Sequence, residues 1–94
     1  GVVMGGRGRQ VRASGRVQGV FFRAWTQQQA NELGVAGWVR NAADGSVEAH
    51  LTGEESAVQK LIARLHDGPP SAVVRHVEST VADPDPGDRF EVRH

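Results

Sequence analysis

Hydrophobic and polar residues alternate along several short segments of the chain. Within residues 10–15, Val11 and Ala13 alternate with Arg12 and Ser14, and this period of two is typical of a half-buried strand. Comparable segments predict four more strands, at residues 36–41, 46–51, 73–81 and 89–93. The fourth of these five strands is irregular, because one of its valines falls out of phase with the others.

Two other segments repeat their apolar side chains every three or four residues, as one face of a helix does. The first starts at Arg23 and ends at Gly34. Its apolar face carries Phe22, Thr26, Ala30 and Leu33. The second starts with a capping box formed by Thr52 and Glu55 and ends before Gly68-Pro69-Pro70. Its apolar face carries Val58, Leu61, Ile62 and Leu65.

The order of the elements is strand, helix, strand, strand, helix, strand, with one further strand at the end. This order predicts an α+β fold, a two-layer ferredoxin-like βαββαβ sandwich with two helices on one face of an antiparallel sheet and an extra C-terminal strand. Asp44 and Gly45 predict a hairpin turn, since glycine supplies the positive φ. Residues 1–8 are rich in glycine and arginine without any period, so we expect a flexible leader there and one domain at 9–94.

Composition excludes several classes of protein. The chain has 94 residues and no cysteine, which removes disulfides, thiolate metal sites and thiol catalysis. Eleven basic residues balance eleven acidic ones, so the basic surface that nucleic-acid binding requires is not expected. No apolar run approaches the roughly 20 residues of a membrane span, and no signal peptide is visible. These features favour a cytoplasmic location.

The connection between the first strand and the first helix has the chemistry of an anion site. It contains Gly19, and Arg23 opens the helix that follows. Unpaired N–H groups at a helix start attract anions, a glycine-bearing loop can turn such groups inward, and arginine offers a planar fork to phosphate. On position alone, an ordinary loop with a surface arginine is the commoner explanation. Asn41, at the end of the second strand, either serves the adjacent turn or holds a water or an oxyanion through its side-chain amide.

Two longer motifs contain these residues. One is Gly15-x-Val17-Gln18-Gly19-Val20-x-Phe22-Arg23. The other is Gly37-Trp38-Val39-Arg40-Asn41-x-x-Asp44-Gly45-x-Val47-Glu48. The first resembles the first signature of the acylphosphatases, and the second resembles their second signature at the expected separation. The resemblance covers the chain from about residue 9 to residue 93.

The resemblance implies a small cytosolic enzyme that hydrolyses the carboxyl–phosphate bond of acyl phosphates to a carboxylate and inorganic phosphate. By the same resemblance, Asn41 orients the attacking water and Arg23 binds the phosphate. The loop shares that second role through Arg16, Val17, Gln18, Gly19, Val20, Phe21 and Phe22. A carboxylate is a good leaving group because its conjugate acid has a pKa near 4.3, so no general acid is needed. We expect no metal and no cofactor, since Arg23 and the loop amides supply the positive field.

The expected partners follow from this site. The substrate is a small acyl phosphate, and inorganic phosphate and sulfate should compete for the same cradle. Neither nucleic acid nor a membrane is expected as a partner, and a monomer is the default for a two-layer domain. Trp25 lies close to Arg23 along the chain, where it either packs in the core or contacts the acyl group.

Two alternatives remain at this stage. A non-catalytic ferredoxin-like module for RNA would stack bases on aromatic residues of its open sheet. Three of the five aromatic residues instead lie at the loop, at Phe21, Phe22 and Trp25. Acylphosphatase-like domains also open larger carbamoyl-transferring maturation proteins, which continue into cysteine-rich zinc-binding segments. A chain of this length without cysteine favours a free-standing enzyme.

Overall fold

The computed structural model describes residues 7–85 and 87–94 and contains the predicted order of strands and helices. The elements are β1 (Arg7–Arg16), α1 (Phe22–Leu33), β2 (Ala36–Asn41), β3 (Val47–Gly53), α2 (Glu55–Asp67), β4 (Val73–Ala82) and β5 (Phe90–Arg93). Both helices contact the same sheet and each other. The predicted two-layer α+β fold is therefore confirmed.

The sheet has the strand order β4-β1-β3-β2-β5. The first four strands pair antiparallel, as predicted, but β5 pairs parallel to β2, with Gly37 opposite Phe90 and Arg40 opposite Arg93. After β4 the chain passes the end of β3, where the Asp85 N–H donates to the Thr52 hydroxyl at 2.8 Å. It thus reaches the sheet edge at the end where β2 begins, so the last strand runs in the direction of β2.

The core lies between the helices and one face of the sheet. The predicted alternation in β1 is present, since Val11 and Ala13 are buried and Arg12 is exposed. The apolar faces of the helices meet them with side chains that include Phe22, Ala30, Val58, Leu61 and Leu65. Burying one such side chain contributes about 1.5–3 kcal/mol, so this interface supplies most of the stabilisation available to so small a domain.

β1 begins two residues inside the segment predicted to be a leader. Gly8 pairs with Thr52 on one side and Ala82 on the other. A Cβ at Gly8 would lie 2.5 Å from the Ala82 carbonyl oxygen, so the close approach of the backbones requires glycine here. Because glycine has no side chain to alternate, the hydrophobic pattern did not extend this far. The rest of the predicted leader, residues 1–6, lies outside the described residues.

The predicted capping box at the start of α2 is wrong. The N-cap residue is Glu54, and it makes no side-chain capping hydrogen bond. Thr52 instead belongs to β3, and its hydroxyl accepts the hydrogen bond from Asp85 described above. Glu55 occupies the first turn of the helix, where its negative charge complements the helix dipole.

The irregular phase of β4 has a structural cause. Gly15 lies opposite Val74, whereas Ser14 lies opposite His76, so Arg75 is an extra residue on β4. Such a bulge moves the following side chains to the other face of the strand. It allows Val74 and Val77, three residues apart, both to pack against the core.

Candidate active site

Three strands have their carboxyl ends at the same end of the sheet, and the candidate residues lie there. β1 and β2 are both antiparallel to β3, which lies between them, and β5 is parallel to β2. The carboxyl ends of β1, β2 and β5 therefore meet. β1 leads into the loop before α1, β2 ends at Asn41, and β5 leads to His94.

The loop between β1 and α1 presents unpaired N–H groups. Gly19 and Phe21 have positive φ angles of 74° and 61°, a conformation that turns successive N–H groups to one side of the chain. Among the described residues, no hydrogen bond outside the helices and strands has as its donor a backbone N–H of residues 18–24. The first N–H groups of a helix also have no partner within it. These amides are therefore available to an anion.

Phe21 holds a conformation that costs free energy. Within the described part of the chain it is the one non-glycine residue with a positive φ. A bulky side chain in this region costs about 1–3 kcal/mol. The neighbours impose the conformation, since Phe22 is buried and the Phe21 carbonyl accepts the Trp25 N–H at 3.0 Å. Phe21 itself is 83% exposed.

The side chain of Gln18 ties the loop to the β2–β3 hairpin. Its Nε2 donates to the carbonyl oxygens of Ala42 and Ser46, both at 2.8 Å. The Ser46 carbonyl also accepts the Ala42 N–H at 2.8 Å. Asn41 directly precedes Ala42, so these bonds hold the end of β2 in a defined position relative to the loop.

Arg23 lies in the first turn of α1 and is oriented by the C-terminal segment. Its Nη1 donates to the Arg93 carbonyl oxygen at 2.8 Å and lies 3.0 Å from Nδ1 of His94. A guanidinium carries five N–H donors, and both contacts use the same nitrogen. The two contacts thus fix the position of Nη1, and the N–H groups on the other two guanidinium nitrogens can donate to a ligand.

These elements enclose a cleft of about 340 Å³. It is lined by Val17, Gly19, Phe21, Phe22, Arg23, Ala24, Asn41, Val92 and His94. Of the residues predicted to bind phosphate, Arg16, Gln18 and Val20 are not part of this lining. Arg16 is exposed, Gln18 faces the hairpin, and the Val20 carbonyl accepts the Ser71 hydroxyl at 2.9 Å.

Sequence reasoning missed Val92 and His94. Neither belongs to the two motifs, and their place in the cleft depends on the parallel pairing of β5 with β2. The alternation within residues 89–93 indicates a strand but contains no information about its partner. Trp25, which was left open, is half-buried and packs with its ring centroid 5.6 Å from that of Phe22. The exposed aromatic ring at the cleft is that of Phe21.

The hairpin turn beside Asn41 is stabilised by Asp44. Its Oδ1 accepts the Ser46 hydroxyl at 2.5 Å and the Ser46 N–H at 2.9 Å. These two hydrogen bonds, with a smaller contribution from Arg12 at 3.1 Å, hold the pKa of the Asp44 carboxyl below its ordinary value of 3.8. Gly45 completes the turn with a φ of 92°, as the sequence predicted.

Residues 7–85 and 87–94 contain neither a candidate metal site nor a candidate membrane span. No group of three or more histidine, cysteine, aspartate or glutamate side chains lies close enough together there to hold a metal ion. None of the helices in this part of the chain is long and apolar enough to cross a membrane.

Comparison with known proteins identifies the family. Residues 9–92 match the family model described as Acylphosphatase. The chain belongs to the acylphosphatase family. A curated acylphosphatase of Rhodopseudomonas palustris is 50% identical over 90 residues, which cover 89% of this chain and 91% of that relative.

Solved structures agree with this assignment. An acylphosphatase from Coxiella burnetii superposes with a TM-score of 0.90 at 38% identity, covering 94% of this chain and 93% of that one. Full-length HypF, solved in a phosphate- and nucleotide-bound form, gives 0.89 at 25% identity, but this chain spans 12% of it. The more similar acylphosphatases have this chain's own size, so neither a domain of a larger maturation protein nor an RNA-binding module is favoured.

Proposed function

We propose that this chain hydrolyses acyl phosphates to a carboxylate and inorganic phosphate. The observation that carries the proposal is the meeting of three features in one cleft of an acylphosphatase-family chain. These features are the unpaired loop amides, Arg23 and Asn41. The relative in Rhodopseudomonas palustris is named an acylphosphatase, and the cleft has the groups that such a reaction needs.

The loop and Arg23 bind the phosphate group. The N–H groups between Gln18 and Ala24 point their positive ends at its oxygens, and the start of α1 adds the helix dipole. The guanidinium of Arg23 donates to the same oxygens in a charge-assisted pair. Phosphoryl transfer depends mainly on positioning and charge stabilisation, so preorganised donors of this kind supply most of the catalysis.

Asn41 acts on the attacking water. Its side-chain amide holds the water oxygen facing the phosphorus, on the side opposite the acyl oxygen. The bond between phosphorus and the acyl oxygen breaks as the water oxygen bonds to phosphorus, and the carboxylate leaves with the electron pair. A phosphate oxygen of the substrate accepts the water proton, so no side chain serves as a general base.

The remaining parts of the proposal concern the surroundings of the enzyme. We propose that it works in the cytoplasm as a monomer. Phosphate and sulfate compete with the substrate because both fit the same donors. The positive field comes from Arg23 and the amides, so a chelator is expected to leave the rate unchanged.

The test is hydrolysis of acetyl phosphate by purified protein and by variants of Arg23. Arg23→Ala is expected to lower kcat/KM by at least about 100-fold, the order of effect of removing one preorganised donor. Arg23→Lys should restore little, because a point charge cannot reproduce the fork. Arg89→Ala, an exposed arginine at the opposite end of β5, is the matched control. Near-parental turnover by either Arg23 variant would contradict the proposal.

A second variant separates binding from chemistry. Asn41→Ala is expected to lower kcat while phosphate inhibits the variant as strongly as the parent, because an oriented water contributes in the transition state. Preserved kcat with weaker phosphate inhibition would show that Asn41 binds phosphate instead.

A further inference from the structure

The cleft has an apolar side that the phosphate chemistry leaves unused. Arg23, Asn41 and the loop amides are occupied by the phosphate and the water in the proposed function, on which this inference rests. His94 is engaged with Arg23. The rest of the lining is apolar, and it includes one large exposed hydrophobic residue, Phe21, which is 83% exposed.

The neighbours of Phe21 set its backbone conformation, but nothing in the core requires an aromatic side chain at this position. A glycine would adopt its φ of 61° without strain, as Gly19 does at 74° two residues earlier. The ring buries little of its own surface, so packing does not repay the strain. A strained residue beside a binding site is a reason to look for a role in that site. Here the left-handed backbone directs an aromatic side chain out from the start of α1.

The acyl group must lie close to this ring. In an acyl phosphate the carbonyl carbon is separated from phosphorus by one oxygen atom. A phosphate held by the amides between Gln18 and Ala24 therefore leaves its acyl group at the mouth of the cleft. No carboxylate or lysine is among the side chains described as lining it, and its arginine, Arg23, is assigned to the phosphate.

We propose that Phe21 is a specificity-determining residue that contacts the acyl group and favours acyl phosphates with a neutral aromatic or bulky apolar acyl group over acetyl phosphate. Val92, which is half-buried and also lines the cleft, offers the second apolar surface. Offset or edge-to-face contact between two aromatic rings is favourable beyond the area that it buries. An acetyl group is too small to make this contact.

The experiment compares benzoyl phosphate with acetyl phosphate. Phe21→Ala is expected to lower kcat/KM for benzoyl phosphate by about 3- to 10-fold, the size of an aromatic pair contact. The loss on acetyl phosphate should be smaller, so that the ratio of the benzoyl phosphate value to the acetyl phosphate value falls. The ratio of the two substrates is compared between variant and parent, so their different intrinsic reactivities cancel. Phe21→Trp should keep the parental ratio.

Two controls separate the ring from the backbone. Phe21→Gly relieves the strained φ and should lose the same selectivity as Phe21→Ala. Val81→Ala, which truncates another hydrophobic residue that is 80% exposed on β4, should leave the ratio unchanged. Inhibition by inorganic phosphate, measured in each of these proteins, reports separately on the loop amides.

The outcomes distinguish this inference from the function on which it rests. If the parent hydrolyses both substrates in an Arg23-dependent way but Phe21→Ala leaves their ratio unchanged, the role of Phe21 is wrong and the proposed function stands. An equal loss on both substrates with weaker phosphate inhibition also overturns it, since the ring would then only support the loop. If the parent hydrolyses neither substrate, both proposals fail.

Discussion

At the scale of single residues, the candidate site depends on which partner holds each polar side chain. The motif predicts that Arg23 lies at the start of a helix. The groups that orient its side chain, the Arg93 carbonyl and the His94 ring, lie 70 and 71 residues further along the chain. The motif predicts the type of side chain and its place at a helix start. Its anchoring partners depend on how distant segments pack, which the local sequence pattern does not contain.

Asp44 illustrates a residue whose charge matters for stability. Its carboxylate is held by Ser46 and Arg12, so its pKa is lower in the folded protein than the ordinary value of 3.8. A group of this kind stabilises the folded state fully above the unfolded pKa, and the contribution is lost as the pH falls through the lower folded value. The turn beside Asn41 is therefore expected to weaken in acid.

The prediction compares Asp44→Asn with the parent in urea unfolding at a series of pH values. Near neutral pH the parent should have the higher free energy of unfolding. The difference should shrink as the pH falls below 3.8, because a protonated carboxyl and an amide are alike in charge. Asp88→Asn, on an exposed loop, controls for the loss of one negative charge. A difference that is constant with pH would show that the Asp44 charge is not involved.

At the scale of elements, the loop before α1 and the β2–β3 hairpin are coupled through one side chain. Gln18 donates to two hairpin carbonyls at 2.8 Å, and Asn41 is the residue just before that contact. The motif indicates that Gln18 belongs to the phosphate loop. The structure gives its side chain a different partner, so we expect Gln18 to affect phosphate binding through the position of the loop.

Gln18→Glu tests this coupling. A carboxylate has nearly the same shape but cannot donate, so it would face two carbonyl oxygens without a hydrogen bond. An unsatisfied group of this kind destabilises the contact between the loop and the hairpin by about 1–3 kcal/mol. Because this contact positions the loop relative to Asn41, we expect kcat/KM to fall by about 10-fold or more. Gln28→Glu, exposed on α1, is the matched control and should have little effect.

The double variant shows whether Gln18 acts through Asn41. If it does, Gln18→Glu should have a much smaller effect in an Asn41→Ala background than in the parent, because residues in one network are not additive. Additive losses would indicate that Gln18 supports the loop independently of the hairpin.

The same scale shows where sequence patterns succeed. Apolar faces of α1 and α2, and the alternation of β1, report which side of an element is buried, so these elements were predicted close to their bounds. The patterns failed where backbone packing decides: at Gly8, which has no side chain, at the bulge beside Arg75, and at Thr52, which has the composition of a cap but lies in β3.

At the scale of the whole molecule, the sheet topology assembles the candidate site. The two motifs predict that residues near Gly19 and Asn41 act together, and the antiparallel order of β1, β3 and β2 explains how they meet. The third contribution, from Val92 and His94, comes from the parallel edge strand. A strand pattern alone does not specify the direction of pairing, so this part of the site required the structure.

A site assembled from three strand ends should link ligand binding to the stability of the whole fold. An anion that binds the folded chain alone stabilises it by RT ln(1 + [L]/Kd), about 2.7 kcal/mol at a concentration 100 times Kd. For a domain of this size, 1 kcal/mol shifts Tm by roughly 4–8 °C. Saturating phosphate or sulfate is therefore expected to raise Tm by about 10 °C or more in a thermal unfolding experiment.

The source of that stabilisation is tested with Arg23→Ala. Unfolding breaks the cradle and the contacts of Arg23 with the C-terminal segment together, so the variant should lose most of the phosphate-dependent rise in Tm. Chloride at equal ionic strength should produce little change in either protein, since general screening acts on all exposed charges and chloride lacks the oxygens that the donors fit. An equal rise with chloride, or a full rise in Arg23→Ala, would mean that the anion stabilises the fold elsewhere than in this cleft.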